Sequence, residues 1–404
     1  MTDGLGRFAA RVAAMRPSMV REMVASAGSR PLLTLAGGLP PAEAFPFEAV
    51  AAAARRLLAS GDSTVLQYAP TEGDPRLLRL VAQDVEQRLG IAGAVGRVLI
   101  TTGSQQALDL VAKVLLDPGD VAVVECPTYV GALRAVAAYE PRIVGVPMDG
   151  EGMDTDALAR LLAGGLRPKL CYVVPNFSNP SGATMSVARR AHLAELSTQY
   201  GFLIVEDDPY GQLRFRGEDV APIAGHPGAD VLYLGSFSKT VAPGLRVGYA
   251  VAPQWLGRQL VVAKQATDLT SSSFNQQLVA ELLETPGWLA THLDGLRSLY
   301  SARADALTSS LDRHVGERIG TSLPAPDGGM FLWTTIAAEG IDAGALTAAC
   351  LAHDVAIVPG TEFTLGGGFE RDVRLSFSLL SPSDLDEAAR RIALAFDDLV
   401  TSVR

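Results

Sequence analysis

The sequence predicts an α/β fold: a large domain on a mostly parallel sheet sandwiched by helices, with a smaller α+β domain. Three observations lead there. The chain has 404 residues and is 48% hydrophobic. At roughly 150 residues per domain it can hold two or three domains around a large core, and general disorder is excluded. From about residue 97, seven short apolar runs begin to alternate with helical segments, as do strands buried on both faces and joined by crossover helices. Past residue 275 long helices dominate before a mixed region closes the chain.

Taken in order, residues 7–27 place apolar and basic positions at helical spacing and predict a helix. Gly37-Gly38-Leu39-Pro40-Pro41 must be irregular, because Gly-Gly and Pro-Pro break periodic structure. Residues 47–60 and 75–89 predict helices. The seven runs are Val98–Thr101, Val121–Glu125, Ile143–Val146, Leu170–Val174, Phe202–Glu206, Val231–Gly235 and Val247–Val251. Helices are expected at 105–116, 128–138, 154–163 and 186–199, then at 276–285 and 288–311. Strands follow near Gly329–Thr334, Ala356–Val358 and Val373–Ser378, and a last helix at 382–400.

Composition excludes several classes of function. Charged residues are 19% of the chain and the net charge is −10. An acidic chain lacks the positive footprint that nucleic acids and anionic membranes require. Cys126, Cys171 and Cys350 are too few and too far apart for a disulfide framework or a zinc motif. The five histidines never approach metal-ligand spacing, so no metal is expected. The N-terminus, MTDGLGRFAARVAAMRPS, is interrupted by arginine and has no signal-peptide core, and no apolar run approaches bilayer length. A cytoplasmic location is the expectation.

Only four lysines occur, Lys113, Lys169, Lys239 and Lys264; the other thirty basic residues are arginine. Chemistry that needs a side-chain amine has four candidates. Ligands of open α/β sheets bind beyond the carboxyl ends of the strands, so the residues after each run matter. Gly103-Ser104-Gln105 opens a helix, which is either a plain N-cap or an anion site. Tyr129 follows the second run and either packs or stacks on a flat ring. Asn179 sits in the turn cluster PNFSNPSG, ordinary turn chemistry or a hydrogen-bonding amide. Glu206-Asp207-Asp208 and Tyr210 follow the fifth run, and buried acids need a cation, a metal or a protonated ligand nitrogen. Ser236, Ser238, Lys239 and Arg246 suit a phosphate beside an amine nucleophile. Lys113, Lys169 and Lys264 read as solvated chains with their stems on apolar surface. Together the strand ends match pyridoxal phosphate: an amine for its aldehyde, a carboxylate for its ring nitrogen, a stacking partner, and donors for its hydroxyl and phosphate.

TTGSQQALDL, CPTY, PNFSNPSG, VEDDPYGQL, LGSFSKTVAPGLRVGY, GGMFLW, VPGTEF and RLSFS together resemble the class I/II, fold type I, pyridoxal-phosphate-dependent aminotransferases. The resemblance runs from about residue 15 to the C-terminus and is nearest the 2-aminoadipate/kynurenine branch. It implies a seven-stranded sheet in a large cofactor-binding domain over 46–285, a small domain over 286–404, and an N-terminal helix and substrate loop over 1–45 that joins the small domain.

It also implies roles. Lys239 would bond the cofactor aldehyde, Asp207 would pair with the ring nitrogen, Tyr210 and Asn179 would bond the ring hydroxyl, and Tyr129 would stack on the ring. Ser104, Gln105, Ser236, Ser238 and Arg246 would hold the phosphate, joined by Tyr68 from the partner subunit of a homodimer with shared active sites. Arg374 would clamp the substrate carboxylate. Arg21 occupies the position that meets an acidic substrate side chain in this branch; as a plain residue it is a solvated helix charge. Gly38 would border the same pocket. The segment Asp268–Asn275 (DLTSSSFN) is small and polar for a pocket tuned to aromatic rings.

The expected activity is ping-pong transamination between an amino acid and a 2-oxo acid, with glutamate and 2-oxoglutarate as one pair. The other pair is 2-aminoadipate-like, kynurenine-like or another amino acid, in primary or specialised biosynthetic metabolism. A β-lyase, decarboxylase or oxidase reaction on the same cofactor is the alternative. A transcription regulator, which would carry a DNA-binding domain upstream, is not the expectation, since the pattern begins near residue 15 and the chain is acidic.

Overall fold

A computed structural model of the chain describes residues 8–9, 11–12, 32–320 and 326–403. Arg21 and most of the helix predicted over 7–27 lie outside the described residues. Strand β1 (Leu33–Thr34) is followed by helices α1 (Phe47–Ala59) and α2 (Pro75–Leu89). The Asp74 carboxylate accepts from the N–H groups of Arg76 and Leu77, both at 3.0 Å, and Pro75 fills the first turn, where no N–H is needed.

The central sheet has eight strands: β2 (Val98–Thr101), β3 (Val121–Cys126), β4 (Arg142–Asp149), β5 (Gly152–Met153), β6 (Leu170–Val173), β7 (Leu203–Asp207), β8 (Val231–Ser236) and β9 (Gly248–Val251). Their spatial order is β2-β9-β8-β7-β6-β3-β4-β5. All seven apolar runs are strands. The eighth, β5, is a two-residue pairing antiparallel to β4, too short to show any periodicity. Strands β8, β7, β6, β3 and β4 are parallel. Strand β9 is antiparallel to both its neighbours, β2 and β8.

Helices α3 (Ser104–Leu115), α4 (Val130–Ala137), α5 (Thr155–Ala163) and α6 (Val187–Tyr200) cover the two faces. Val124, Tyr172 and Val205 pack with Leu108 and Leu133 on the α3 and α4 side. Their chain neighbours Val123, Cys171 and Ile204 pack with Leu158 and Leu193 on the α5 and α6 side. Successive residues of a strand face opposite ways, so a strand covered on both faces must be apolar throughout.

After the sheet come α7 (Gln254–Gln265), α8 (Ser273–Glu284) and the long α9 (Trp288–His314). The smaller region holds β10 (Phe331–Thr335), α10 (Ala343–Ala352), β11 (Val355–Ala356), β12 (Val358–Pro359), β13 (Asp372–Ser376) and α11 (Pro382–Val403). Strands β10, β13 and β12 form an antiparallel sheet, while β1 pairs in parallel with β11. Helix α10 carries no periodic signal because AGALTAACLA is apolar or small on every face. Its start is set instead by Asp342, whose carboxylate accepts from Ala345 N–H at 2.8 Å.

Glu125 is buried in β3. Its Oε2 accepts from Val174 N–H (3.1 Å) and Ser178 Oγ (3.3 Å), beneath the turn that carries Asn179; its Oε1 has no partner. Burial pushes its carboxyl up to about 8. The folded chain therefore holds a proton that the unfolded chain has released above its ordinary pKa of about 4.3. The Glu125 contribution to stability falls as pH rises from about 4.3 to about 8. Glu125→Gln should flatten that slope and raise the melting temperature on the alkaline side, read by thermal unfolding across pH.

Candidate active site

The carboxyl ends of the parallel strands open into a cavity of about 540 Å³. Twelve of the fourteen residues singled out from the sequence line it: Gly38, Ser104, Gln105, Tyr129, Asn179, Asp207, Tyr210, Ser236, Ser238, Lys239, Arg246 and Arg374. Ser104, Tyr129, Asn179, Tyr210, Ser238 and Lys239 lie just past the ends of β2, β3, β6, β7 and β8. Arg246 comes from before a strand. Because β9 is reversed, its first residue, Gly248, pairs with Thr101 at the end of β2 and with Ser236 at the end of β8. A Cβ at Gly248 would lie 2.9 Å from Gly103 Cα, so only glycine permits this approach.

The three consecutive acids are resolved one by one. Glu206 faces the α5 and α6 side and accepts from Ile223 N–H (2.9 Å) and Ala224 N–H (2.8 Å). Asp208 accepts from Tyr233 OH, Asn176 Nδ2 and Gly211 N–H, each at 2.9 Å. Asp207 is buried, and its Oδ2 accepts from Tyr172 OH at 3.0 Å. Its Oδ1 is buried with no partner. Burial pushes the Asp207 carboxyl up to about 7, so a cation at Oδ1 would hold the charged form.

Lys239 donates from Nζ to the Gly38 carbonyl at 2.7 Å. Burial, and then the charges of Arg246 and Arg374, lower its pKa to about 8. Arg374 on β13 is buried between the rings of Phe331 and Phe363, 4.5 and 4.8 Å from their centroids. It donates to Asn179 Oδ1 at 2.8 Å and to the Ala36 carbonyl, and burial lowers its pKa to about 10.

On the opposite wall, Ser104 Oγ is buried and unpartnered at the first residue of α3. Arg246 donates from Nη2 to the Thr102 carbonyl at 3.1 Å. Ser236 Oγ accepts from Ser238 N–H at 3.1 Å, and Gln105 Nε2 donates to the Gly131 carbonyl at 2.9 Å. Tyr129 lies against Gly131, where a Cβ would come 2.4 Å from its Cζ.

Tyr68 is 76% exposed and does not line this cavity. Arg21 lies outside the described residues. Two readings of the sequence are corrected. No residue of 268–275 lines the cavity; Asp268 and Ser271 sit behind the Thr102 turn, and Ser272 caps α8. Lys264 is not solvated but fully buried, paired with Asp268 at 2.7 Å. Lys113 and Lys169 are exposed as expected. The sequence reading also passed over Tyr172. Its signal was register: Tyr172 pairs with Val205, and Asp207 is the next residue on that face of β7, within reach of a long side chain.

The family model described as Aminotransferase class I and II matches residues 30–392. The chain belongs to this family. It is 40% identical to a 2-aminoadipate transaminase of Thermus thermophilus, over 100% of this chain and 98% of the relative. It is 38% identical to aromatic-amino-acid aminotransferase 1 of Thermococcus litoralis, over 96% of this chain and 93% of the relative. A solved α-aminoadipate aminotransferase of Thermus thermophilus, complexed with N-(5'-phosphopyridoxyl)-L-leucine, matches with a TM-score of 0.89 at 38% identity, over 99% of each chain. This aminotransferase has the fold type I architecture and moves an amino group between an amino acid and a 2-oxo acid with pyridoxal phosphate as cofactor.

The cavity fits that cofactor on its own evidence. The unpartnered Asp207 Oδ1 awaits a donor, the unpartnered Ser104 Oγ sits at a helix start suited to an anion, and Gly103 leaves backbone where a Cβ would press to 2.5 Å from Arg246 Nη2. Among the described residues no helix is long and apolar enough to cross a membrane.

Tyr172→Phe would remove the hydrogen bond that Asp207 Oδ2 accepts. In cofactor-free protein this should cost about 1–3 kcal/mol once Asp207 is ionised. Urea unfolding should show a larger deficit at about pH 9 than at about pH 5, because protonated Asp207 needs the donor less.

Proposed function

We propose that this aminotransferase exchanges amino groups between glutamate and a longer acidic amino acid of the 2-aminoadipate type, in a cytoplasmic homodimer. The observation that carries the site assignment is the cavity itself, which sets the Lys239 amine, the unpaired Asp207 oxygen and the buried Arg374 guanidinium around one space. The substrate choice is supported by the 40% identity to a 2-aminoadipate transaminase.

Pyridoxal phosphate, when bound, supplies an aldehyde that takes up the amino group and a ring that takes up the electron pair. The rest falls to the chain. Asp207 Oδ1 would accept a hydrogen bond from the protonated ring nitrogen and keep that proton in place. Asn179 and Tyr210 would bond the ring hydroxyl, and Tyr129 would cover the ring. Ser104, the Gln105 backbone, Ser236, Ser238 and Arg246 would hold the phosphate. Arg374 clamps the substrate α-carboxylate, stiffened by the two rings that sandwich it. Lys239, with its pKa lowered to about 8, is neutral in a far larger fraction near neutral pH than an ordinary lysine. It can take the proton from substrate Cα and return it to the other side of the transferred nitrogen.

The homodimer is supported by Tyr68 and Leu66, both largely exposed. They stand on a loop braced by Ser273 Oγ donating to the Gln67 carbonyl (2.5 Å) and Thr270 Oγ1 donating to the Pro70 carbonyl (3.4 Å). A tyrosine held outward in this way suits a role in the partner subunit's site.

An amino-acid panel with 2-oxoglutarate as acceptor tests the substrate, and 2-aminoadipate should give the highest kcat/KM. Lys239→Ala should lower turnover by about 10²–10⁴-fold or more; normal turnover would remove the assignment. Arg374→Lys should raise KM for every amino acid, since a point charge replaces a two-pronged clamp. Arg21→Ala should raise KM for 2-aminoadipate and glutamate well beyond that for leucine, and equal effects would sink the acidic-substrate reading.

A further inference from the structure

Behind the cavity wall lies a polar cluster that none of the roles above uses. Lys264 of α7 is fully buried, and a buried lysine is costly unless each of its protons is engaged. Its Nζ donates to Asp268 Oδ1 (2.7 Å), Ser271 Oγ (3.1 Å) and Gln106 Oε1 (3.2 Å). Gln106, in the first turn of α3, is held at both ends of its amide. Its Oε1 also accepts from Thr102 N–H at 2.8 Å, and its Nε2 donates to Asp268 Oδ2 at 2.6 Å. Thr102 Oγ1 donates to Asp268 Oδ2 at 2.9 Å and lies 2.9 Å from Ser271 Oγ.

All these contacts converge on one turn. Thr102 is fixed through its N–H and its side chain by the cluster, while its carbonyl accepts from Arg246 Nη2. Gly103 then takes a positive φ of 84° and delivers Ser104 to the start of α3 with its Oγ unpartnered. The cluster therefore braces from behind the same turn whose front meets the cavity. An apolar side chain in place of Lys264 would fill the space but hold neither Gln106 nor Asp268.

We propose that the Lys264–Asp268 pair is a positioning device for the cofactor phosphate, fixing the Thr102–Ser104 turn and the Arg246 side chain that docks on it. This rests on the phosphate lying between Ser104 and Arg246. The pair touches neither cofactor nor substrate, and acts through Thr102 and Gln106. Its effect must therefore follow the phosphate rather than the ring.

The test uses the full chain freed of cofactor, titrated by absorbance with pyridoxal phosphate and, separately, with pyridoxal, which has the aldehyde and ring but no phosphate. Lys264→Met and Asp268→Asn should each weaken pyridoxal phosphate by about tenfold, the scale of a lost supporting contact, and leave pyridoxal nearly unchanged. Lys264→Arg should restore part of the loss. Arg246→Ala is the reference and should show the same selective loss. Equal weakening of both ligands, or of neither, beside a selective Arg246→Ala would overturn the positioning role alone. If Arg246→Ala shows no selectivity, the phosphate lies elsewhere and the proposal falls with that placement. Should Lys264→Met fail to fold, Asp268→Asn decides the matter, because it keeps the volume and removes only the charge.

Discussion

The Asp207 carboxylate is buried at the end of β7 with one oxygen bonded to Tyr172 and the other bonded to nothing. A charge left that way in a dry interior is unfavourable, and burial raises its pKa accordingly. The neighbouring acids show the contrast. Glu206 and Asp208 lie one residue to either side and are satisfied by backbone N–H groups, a tyrosine and an amide. Only the middle acid is kept incomplete. The rest of the site is arranged around that incompleteness, since a protonated ring nitrogen completes it and a neutral one does not.

Sheet topology brings the other groups to the same place. Five strands that run the same way, β2, β3, β6, β7 and β8, deliver their following loops to one edge, and the reversed β9 delivers Arg246, two residues before its start, to that edge as well. The mirror contribution comes from the smaller region. Arg374 on β13 reaches Asn179 after β6 and the carbonyl of Ala36 just past β1, and β1 is itself paired with β11. Segments more than three hundred residues apart in the chain thus define one wall.

The four lysines show how far local context reaches. Lys113 and Lys169 are exposed side chains, as their surroundings suggest. Lys264 sits in a helix much like that of Lys113, yet it is buried against Asp268, Ser271 and Gln106. Its partners Asp268 and Ser271 are four and seven residues on, but Gln106 arrives from α3, 158 residues earlier in the chain. Burial of a helical lysine is set by what packs on its face, and no single-chain periodicity records that.

By itself the sequence determined the seven long strands of the sheet, because double-sided burial forces continuous apolar runs. It determined most of the helices flanking them, because one-sided burial forces a helical period. It also determined the set of polar residues at the strand ends, because a strand that ends at the sheet edge leaves its next residues at that edge whatever its neighbours are. Tertiary structure alone decided the rest. It decided the pairings that make Asp207, and not Glu206 or Asp208, the unsatisfied acid. It decided the reversal of β9 and the shielding of Arg374 by Phe331 and Phe363. It decided the burial of Lys264 and the outward position of Tyr68. It also placed α10 and β5, whose uniform or very short sequences carry no period. Each of these depends on contacts between distant segments, and the free energy of such contacts is a property of the assembled core, not of the residues taken in order.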